Sequence, residues 1–259
     1  MSALANMFSV LGLDGVDDGE QIEALSSASA ASEGEAGASK RSDKRKTNGK
    51  LPETREDQGI AKCEQGSFSL PAEEYKMPLV WIDLEMTGLN VEVDRILEIA
   101  CIITDGKLAK SVEGPDLVIR QPKECLDNMG EWCLNHHAAS GLTKRVLQST
   151  ISEKEAEKQV IEFVKEHIGP HTPLLAGNSI YVDFLFLKKY MPNLANIFPH
   201  VLVDVSSIMA LCVRWFPREK KRAPLKEKRH RAMDDIKESI KELKYYKDNI
   251  FKVPNKSKK

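Results

Sequence analysis

The sequence predicts an α/β protein with a central mixed β-sheet flanked by helices. Three apolar runs of strand length lie between residues 79 and 120 and are joined by short links, which is typical of antiparallel neighbours. After residue 150, helical periodicity alternates with two more short apolar runs, as expected for strands joined through helices. The predicted order β-β-β-α-α-β-α-β-α-α favours a layered fold with both strand orientations in one sheet.

The individual elements are marked by local signals. Apolar and β-branched residues predict strands over 79–84, 95–104, 116–120, 174–178 and 201–205. Ser152 and Glu155 form a capping box, and Gly169-Pro170 ends the helix that follows. Apolar periodicity predicts further helices over 182–190, 206–215 and 232–246.

Composition divides the chain into three regions. Residues 1–76 are mostly small, polar and charged without apolar periodicity, so we expect a disordered extension there. Residues 77–252 form the predicted folded domain, and 253–259 form a basic tail. The net charge of the chain is −1, yet residues 214–259 contain 17 basic and 7 acidic side chains. This local positive charge keeps a nucleic-acid partner open despite the near-neutral total.

Several bulk features exclude whole classes of protein. No run approaches the roughly 18 apolar residues that span a membrane, so we expect no membrane association. The five cysteines are odd in number and form no CxxC pair, which suits a reducing compartment and argues against a zinc site.

The N-terminal region bears on localisation. It has no Lys or Arg before Lys40, which argues against secretory and mitochondrial targeting. We therefore expect a cytoplasmic protein, with mitochondria and the nucleus as alternatives. The six basic residues in 40–50 fit either a solvated linker or a nuclear signal. The apolar residues near the start leave open a segment that binds an unknown protein.

Two carboxylates stand at the end of the first predicted strand. Strand alternation puts Asp83 and Glu85 on one face and Leu84 on the other. Such a pair can share a divalent cation, and hard oxygen ligands suit Mg²⁺ or Mn²⁺. The pattern also arises by chance in an acidic chain, so by itself it does not decide the function.

Two later segments contain further candidate residues. Asp183 begins a helix, where it can act as a cap, but its apolar neighbours predict burial, and an unpaired buried carboxylate is costly. A metal ion would resolve that cost. His230 and Asp235 would project about 140° apart on one helix. This favours His230 in the loop before a helix and Asp235 in the first turn, although a lone His among basic residues is also typical of a plain surface.

Four segments together resemble the oligoribonuclease family, which belongs to the DEDDh branch of 3′-to-5′ exonucleases and has an RNase H-like fold. They are VWIDLEMTGL (80–89), RILEIA (95–100), GNSIYVDFL (177–185) and HRAMDDIKESI (230–240). The resemblance implies an exonuclease domain over 77–252 with a central mixed five-stranded sheet. The long acidic and Ser/Ala-rich extension is more typical of a eukaryotic member.

The resemblance also implies a chemistry. Two divalent metals per active site, Mg²⁺ or Mn²⁺, would activate the nucleophile and stabilise the leaving oxygen of a phosphodiester. His230 would act as the general base that accepts the water proton. Short single-stranded RNA would be hydrolysed to 5′-mononucleotides by a homodimer. The implied metal ligands are Asp83, Glu85, Asp183 and Asp235.

The implied substrate pocket uses five more residues. Leu89 would wedge against a base, and Trp132 would stack on the other base or line the pocket. His137 and Ser179 would contact phosphate or sugar, and Ser206 would lie at the 5′-phosphate. Without the resemblance, Leu89 and Trp132 fit a plain core, and Ser179 fits a helix cap.

One departure from the family keeps alternatives open. The family has an aromatic residue followed by Arg shortly before Asp204, whereas this chain has His200 and Val201. Because those family residues cap the 5′ end of a short substrate, an exonuclease acting on longer RNA or on DNA remains an alternative. A non-catalytic RNA- or partner-binding module is another, although a pure binder has no need for four clustered carboxylates.

Overall fold

The computed structural model of the protein describes residues 75–226 and 231–251. The predicted N-terminal extension, apart from its last two residues, lies outside the described residues. So do His230 and the predicted tail over 253–259. The predictions made for those segments, and the domain boundaries that depend on them, therefore stay predictions.

Five strands form one mixed sheet in the order β3-β2-β1-β4-β5. The pairs β1–β2 and β2–β3 are antiparallel, and the pairs β1–β4 and β4–β5 are parallel. This confirms the predicted α/β class and the mixed sheet. The strands are β1 (Leu79–Met86), β2 (Ile96–Thr104), β3 (Ser111–Val118), β4 (Leu174–Gly177) and β5 (Leu202–Asp204).

The third strand begins earlier than predicted. The Asp105 carboxylate accepts hydrogen bonds from the backbone N–H groups of Ala109 and Lys110, so the chain reverses at once and pairing resumes at Ser111. Gly114 and Pro115 are residue types that are rare inside strands, so the sequence does not predict a strand here. They are tolerated because β3 is an edge strand of the sheet.

Nine helices lie within the described residues. The predicted cap is present, because Ser152 Oγ accepts the Glu155 N–H at 3.2 Å. Three short helices before it were not predicted individually, since each is brief and lacks a side-chain cap. The helices are α1 (Lys123–Asp127), α2 (Glu131–Ala139), α3 (Leu142–Gln148), α4 (Glu153–Ile168), α5 (Ile180–Tyr190), α6 (Pro192–Ala195), α7 (Val205–Trp215), α8 (Pro217–Lys220) and α9 (Ala232–Asn249).

The two faces of the sheet pack against different helices. Val80, Ile82 and Leu84 of β1 belong to a core shared with α4 and α5, which we call the α4–α5 face. Trp81 belongs to a second core shared with α7 and α9, the α7–α9 face. Because side chains alternate along β1, Asp83 and Glu85 continue the line of Trp81 on the α7–α9 face. Within the described ranges, no helix has the length and apolar character needed to cross a bilayer.

Candidate active site

Three carboxylates meet where β1 ends and α9 begins. Asp83 and Glu85 come from β1, and Asp235 comes from the first turn of α9, as the sequence predicted. One oxygen from each of the three lies within 4.8 Å of the others. The fold therefore gathers hard oxygen ligands from two distant parts of the chain at one place.

Asp183 joins this strand end through the backbone of β1. The N–H of Leu84, the residue between the two β1 carboxylates, donates to Asp183 Oδ1 at 2.9 Å. The strand β4 pairs with β1 only as far as Trp81, so it does not reach Leu84, and the side chain of Asp183 serves as acceptor there. Asp183 is itself only 6% exposed. The structure thus clusters three of the four carboxylates that the sequence singled out, and it ties the fourth, Asp183, to the backbone of β1 beside them.

These carboxylates hold their protons more strongly than ordinary acids. Burial, followed by the negative charges of Asp183 and Asp235, raises the pKa of Asp83 well above its usual value. Burial, followed by the charge of Asp235, raises the pKa of Glu85 to about 8. Burial also raises the pKa of Asp183 to about 7 and that of Asp235 to about 6. A divalent cation would remove this repulsion, so the four residues fit a metal site in both donor type and charge.

A fifth acid beside the site was not singled out from the sequence. Glu98 of β2 pairs in register with Glu85, and it is completely buried. Its carboxylate forms ion pairs with Arg145 at 2.6 Å and with Arg231 at 3.0 Å. The available signal was a single charged residue inside the otherwise apolar strand ILEIACIIT.

His137 lies beside Glu85 and is almost completely buried. It is 1% exposed, and its Nε2 lies 2.9 Å from the backbone oxygen of Met86, to which Nε2–H donates. Its Nδ1 lies 3.8 Å from Glu85 Oε2. Burial lowers the pKa of His137, which favours a neutral ring. The contact with RNA that the sequence suggested stays a prediction.

Two of the predicted substrate residues lie side by side. The Ser179 backbone N–H and the Ser206 hydroxyl both donate to Asp204 Oδ1, at 3.0 and 2.6 Å. Ser179 precedes α5 with a left-handed backbone (φ 53°), and its hydroxyl lies 3.4 Å from that of Ser206. Asp204 therefore links the backbone of Ser179 to the side chain of Ser206.

The two predicted base-stacking residues have different surroundings. Leu89 is half-buried and packs against the core of the α4–α5 face. Trp132 is 41% exposed, and its ring stacks on His136 with centroids 3.8 Å apart. Their roles toward RNA stay predictions. His230 lies outside the described residues, so its predicted position in a loop and its role as a base stay predictions.

The fold and the acidic site together define a nuclease of the exonuclease class. Residues 80–243 match the exonuclease family RNase_T. Apo Exonuclease I superposes with a TM-score of 0.52 at 14% identity, covering 67% of this chain and 42% of that one. Exonuclease I from Methylocaldum szegediense gives a TM-score of 0.51 at 16% identity, covering 68% and 41%. This chain spans only about four tenths of those structures, and the likeness shows the fold alone.

Sequence relatives define the family more closely. An oligoribonuclease from Arabidopsis thaliana is 72% identical over 190 residues, which is 73% of this chain and 86% of the relative. The mitochondrial oligoribonuclease of Homo sapiens is 48% identical over 196 residues, covering 76% and 83%. An oligoribonuclease from Marinobacter nauticus is 50% identical over 175 residues, covering 68% and 97%. The chain belongs to the oligoribonuclease family, which confirms the predicted family, fold and enzyme class.

Proposed function

We propose that this chain hydrolyses short single-stranded RNA from its 3′ end and releases 5′-mononucleotides. The observation that carries the proposal is the convergence of Asp83, Glu85 and Asp235 at the end of β1. The relatives named oligoribonuclease support the substrate class. Hydrolysis of a phosphodiester requires charge stabilisation on the attacking and leaving oxygens, and a carboxylate cluster can organise that charge through bound cations.

Asp83, Glu85, Asp183 and Asp235 would hold two Mg²⁺ or Mn²⁺ ions. When bound, the ions supply Lewis acidity and lower the pKa of a coordinated water. The carboxylates must lose their protons to bind, so their raised pKa values make the affinity for the ions rise with pH between about 6 and 8.

Other residues of the chain position the carboxylates and accept the proton of the attacking water. Asp83 and Glu85 are held in place because β1 lies inside the sheet, between β2 and β4. The Leu84 N–H orients Asp183, and the neutral His137 ring braces the end of β1 through the Met86 carbonyl. His230 would accept the proton of the attacking water at an imidazole nitrogen.

Short RNA would be positioned by residues around the carboxylates. Trp132 and Leu89 would contact bases, since stacking tolerates any base sequence. His137, Ser179 and Ser206 would contact phosphate or sugar. A broader activity on longer RNA or DNA is the second candidate, because the residues that replace the family's aromatic–Arg pair, His200 and Val201, are both exposed.

A length series separates these two candidates. Single-stranded RNA of two to twenty nucleotides, labelled at the 5′ end, is digested with Mg²⁺ by the full chain. A steep preference for dinucleotides supports the short-RNA pocket, whereas flat length dependence favours the broader exonuclease. Absence of hydrolysis at every length, together with retained RNA binding, would support the binding module instead.

The general base has its own test. His230→Asn removes the proton acceptor but no carboxylate, so the rate should fall strongly while Mn²⁺ binding, followed by calorimetry, persists. An equal loss of Mn²⁺ affinity would contradict the role of His230 as a base.

Assembly and location complete the proposal. The enzyme would be a homodimer, which light scattering on the full chain measures directly. It would act in the cytoplasm, with mitochondria as the alternative that the mitochondrial names of animal relatives support. The N-terminal extension would bind a protein partner. A fluorescent fusion with and without residues 1–76 tests both the location and the contribution of the extension.

A further inference from the structure

An ion-pair cluster built on one completely buried carboxylate, that of Glu98, lies beside the candidate metal ligands. Glu98 points to the same face of the sheet as Glu85, its cross-strand neighbour, and has no exposed surface. An isolated ionised carboxylate at this position would be strongly disfavoured. Two arginines compensate it. Arg145 Nη2 lies 2.6 Å from Oε1, and Arg231 approaches both oxygens, with Nη2 at 3.0 Å and Nε at 3.4 Å.

Arg231 connects this cluster to a candidate metal ligand. It is the residue immediately before α9, and its backbone carbonyl accepts the N–H of Asp235 at 2.9 Å. The side chain of Arg231 is therefore fixed to β2 while its backbone closes the first turn of the helix that carries Asp235. Any displacement of Arg231 would shift Asp235 relative to Asp83 and Glu85.

We propose that Glu98 is a positioning residue that, through Arg231, sets the first turn of α9 so that Asp235 reaches the other two carboxylates. Arg145 supports it from α3 by neutralising the same carboxylate. The inference rests on the proposed metal site and adds to it a residue that holds no metal itself. Groups that orient a metal ligand typically change metal affinity or activity 10- to 100-fold when they are replaced.

The chain offers a matched control on the same helix. Lys237 Nζ of α9 lies 2.8 Å from Glu113 Oε2 of β3, so this pair also ties α9 to the sheet. Both of its side chains are considerably exposed, at 38% and 60%. An exposed pair of this kind holds its partners only weakly. Loss of Glu113 should therefore leave Asp235 where it is.

The test is Mn²⁺ binding to the full-length chain, measured by titration calorimetry on wild type, Glu98→Gln, Arg231→Lys and Glu113→Gln. We expect about a tenfold or larger loss of affinity in the first two variants and an unchanged affinity in the third. Arg231→Lys keeps the positive charge and loses only the bidentate hydrogen bonding to Glu98. If Glu98→Gln does not fold, the Mn²⁺ affinity of Arg231→Lys alone tests the positioning role.

Kinetics provide a second readout that a purely structural role would not change. In Glu98→Gln and Arg231→Lys, kcat at a fixed low Mn²⁺ concentration should fall, KM for RNA should stay constant, and excess Mn²⁺ should restore the rate. Wild-type Mn²⁺ affinity in folded Arg231→Lys would overturn the inference while leaving the proposed metal site intact. Failure of the wild-type chain to bind Mn²⁺ would instead overturn the metal site, and this inference with it.

Discussion

The two faces of β1 differ in what they do for the molecule, although they alternate along a single strand. Val80, Ile82 and Leu84 are at most 4% exposed and form the core of the α4–α5 face. On the other face, Trp81 is buried against α9, but Asp83 and Glu85 follow it at the end of the strand. One face stabilises the fold by removing apolar surface from water, and the other collects negative charge.

Adjacent residues of β1 therefore serve different purposes: one stabilises the fold, and the next belongs to the candidate metal site. Burial of an Ile or Leu side chain favours folding by about 1.5–3 kcal/mol. Burial of mutually repelling carboxylates opposes folding until a cation or a proton neutralises them. Neighbouring positions on β1 should therefore respond to substitution in opposite ways.

The largest expected effect is on the acidic face. Asp83→Ala should reduce hydrolysis of short RNA by about a thousandfold or more, since a lost metal ligand removes several kcal/mol of transition-state stabilisation. The same variant should raise the melting temperature of the metal-free protein, because it relieves carboxylate repulsion. The measurements are a single-turnover rate with Mg²⁺ and a thermal melt in EDTA. Wild-type-like hydrolysis would remove Asp83 from the metal site.

The neighbouring residue on the apolar face should show the reverse behaviour. Ile82→Ala leaves a cavity in a completely buried position and should lower the free energy of unfolding by about 2–5 kcal/mol. The rate per folded molecule should change little, because the side chain points away from the carboxylates. Urea denaturation and an activity assay below the unfolding transition measure the two quantities. A loss of rate as large as that of Asp83→Ala would contradict the separation of the two faces.

The pH dependence of stability sharpens the comparison further. Because the pKa values of Glu85, Asp183 and Asp235 are raised to about 8, 7 and 6, the folded chain binds more protons than the unfolded chain above about pH 4. The metal-free protein should therefore become less stable as the pH rises from about 5 to about 8.

Thermal melts in EDTA across this pH range test the sign of the effect. Added Mg²⁺ should reverse the loss at high pH, because it binds only the folded site. Asp83→Asn should flatten the pH dependence, since it removes a carboxyl group whose own pKa is raised well above its usual value. A metal-free protein that becomes more stable with rising pH would contradict the assigned pKa shifts.

The smallest effect is expected far from the acidic face. Ser152→Ala removes the hydroxyl that accepts the Glu155 N–H at the start of α4. It should lower the free energy of unfolding by about 1 kcal/mol and leave the rate of hydrolysis unchanged. Denaturation and activity measured on the same preparation test this. An altered rate would show that α4 is coupled to the site.

The sequence predicted most of the fold where local signals agree. Apolar runs placed β1 and β2 to within about two residues, and the Ser152–Glu155 pair placed the start of α4. The edge strand β3 was misplaced because its Gly114 and Pro115 oppose a strand pattern, and only pairing with β2 compensates for them. The helices α1 to α3 were missed because short segments depend on packing more than on propensity.

By itself, the sequence determined which residue types are available for chemistry: carboxylates that alternate with apolar residues at the end of β1, and two later aspartates that begin helices. These are local properties of order and spacing. Only the tertiary structure decided that Asp183 accepts the Leu84 N–H, that Asp235 comes within 4.8 Å of Asp83 and Glu85, and that a buried Glu98 holds Arg231. These contacts join residues far apart in the chain, and they form because the sheet brings the end of β1 beside the starts of α5 and α9.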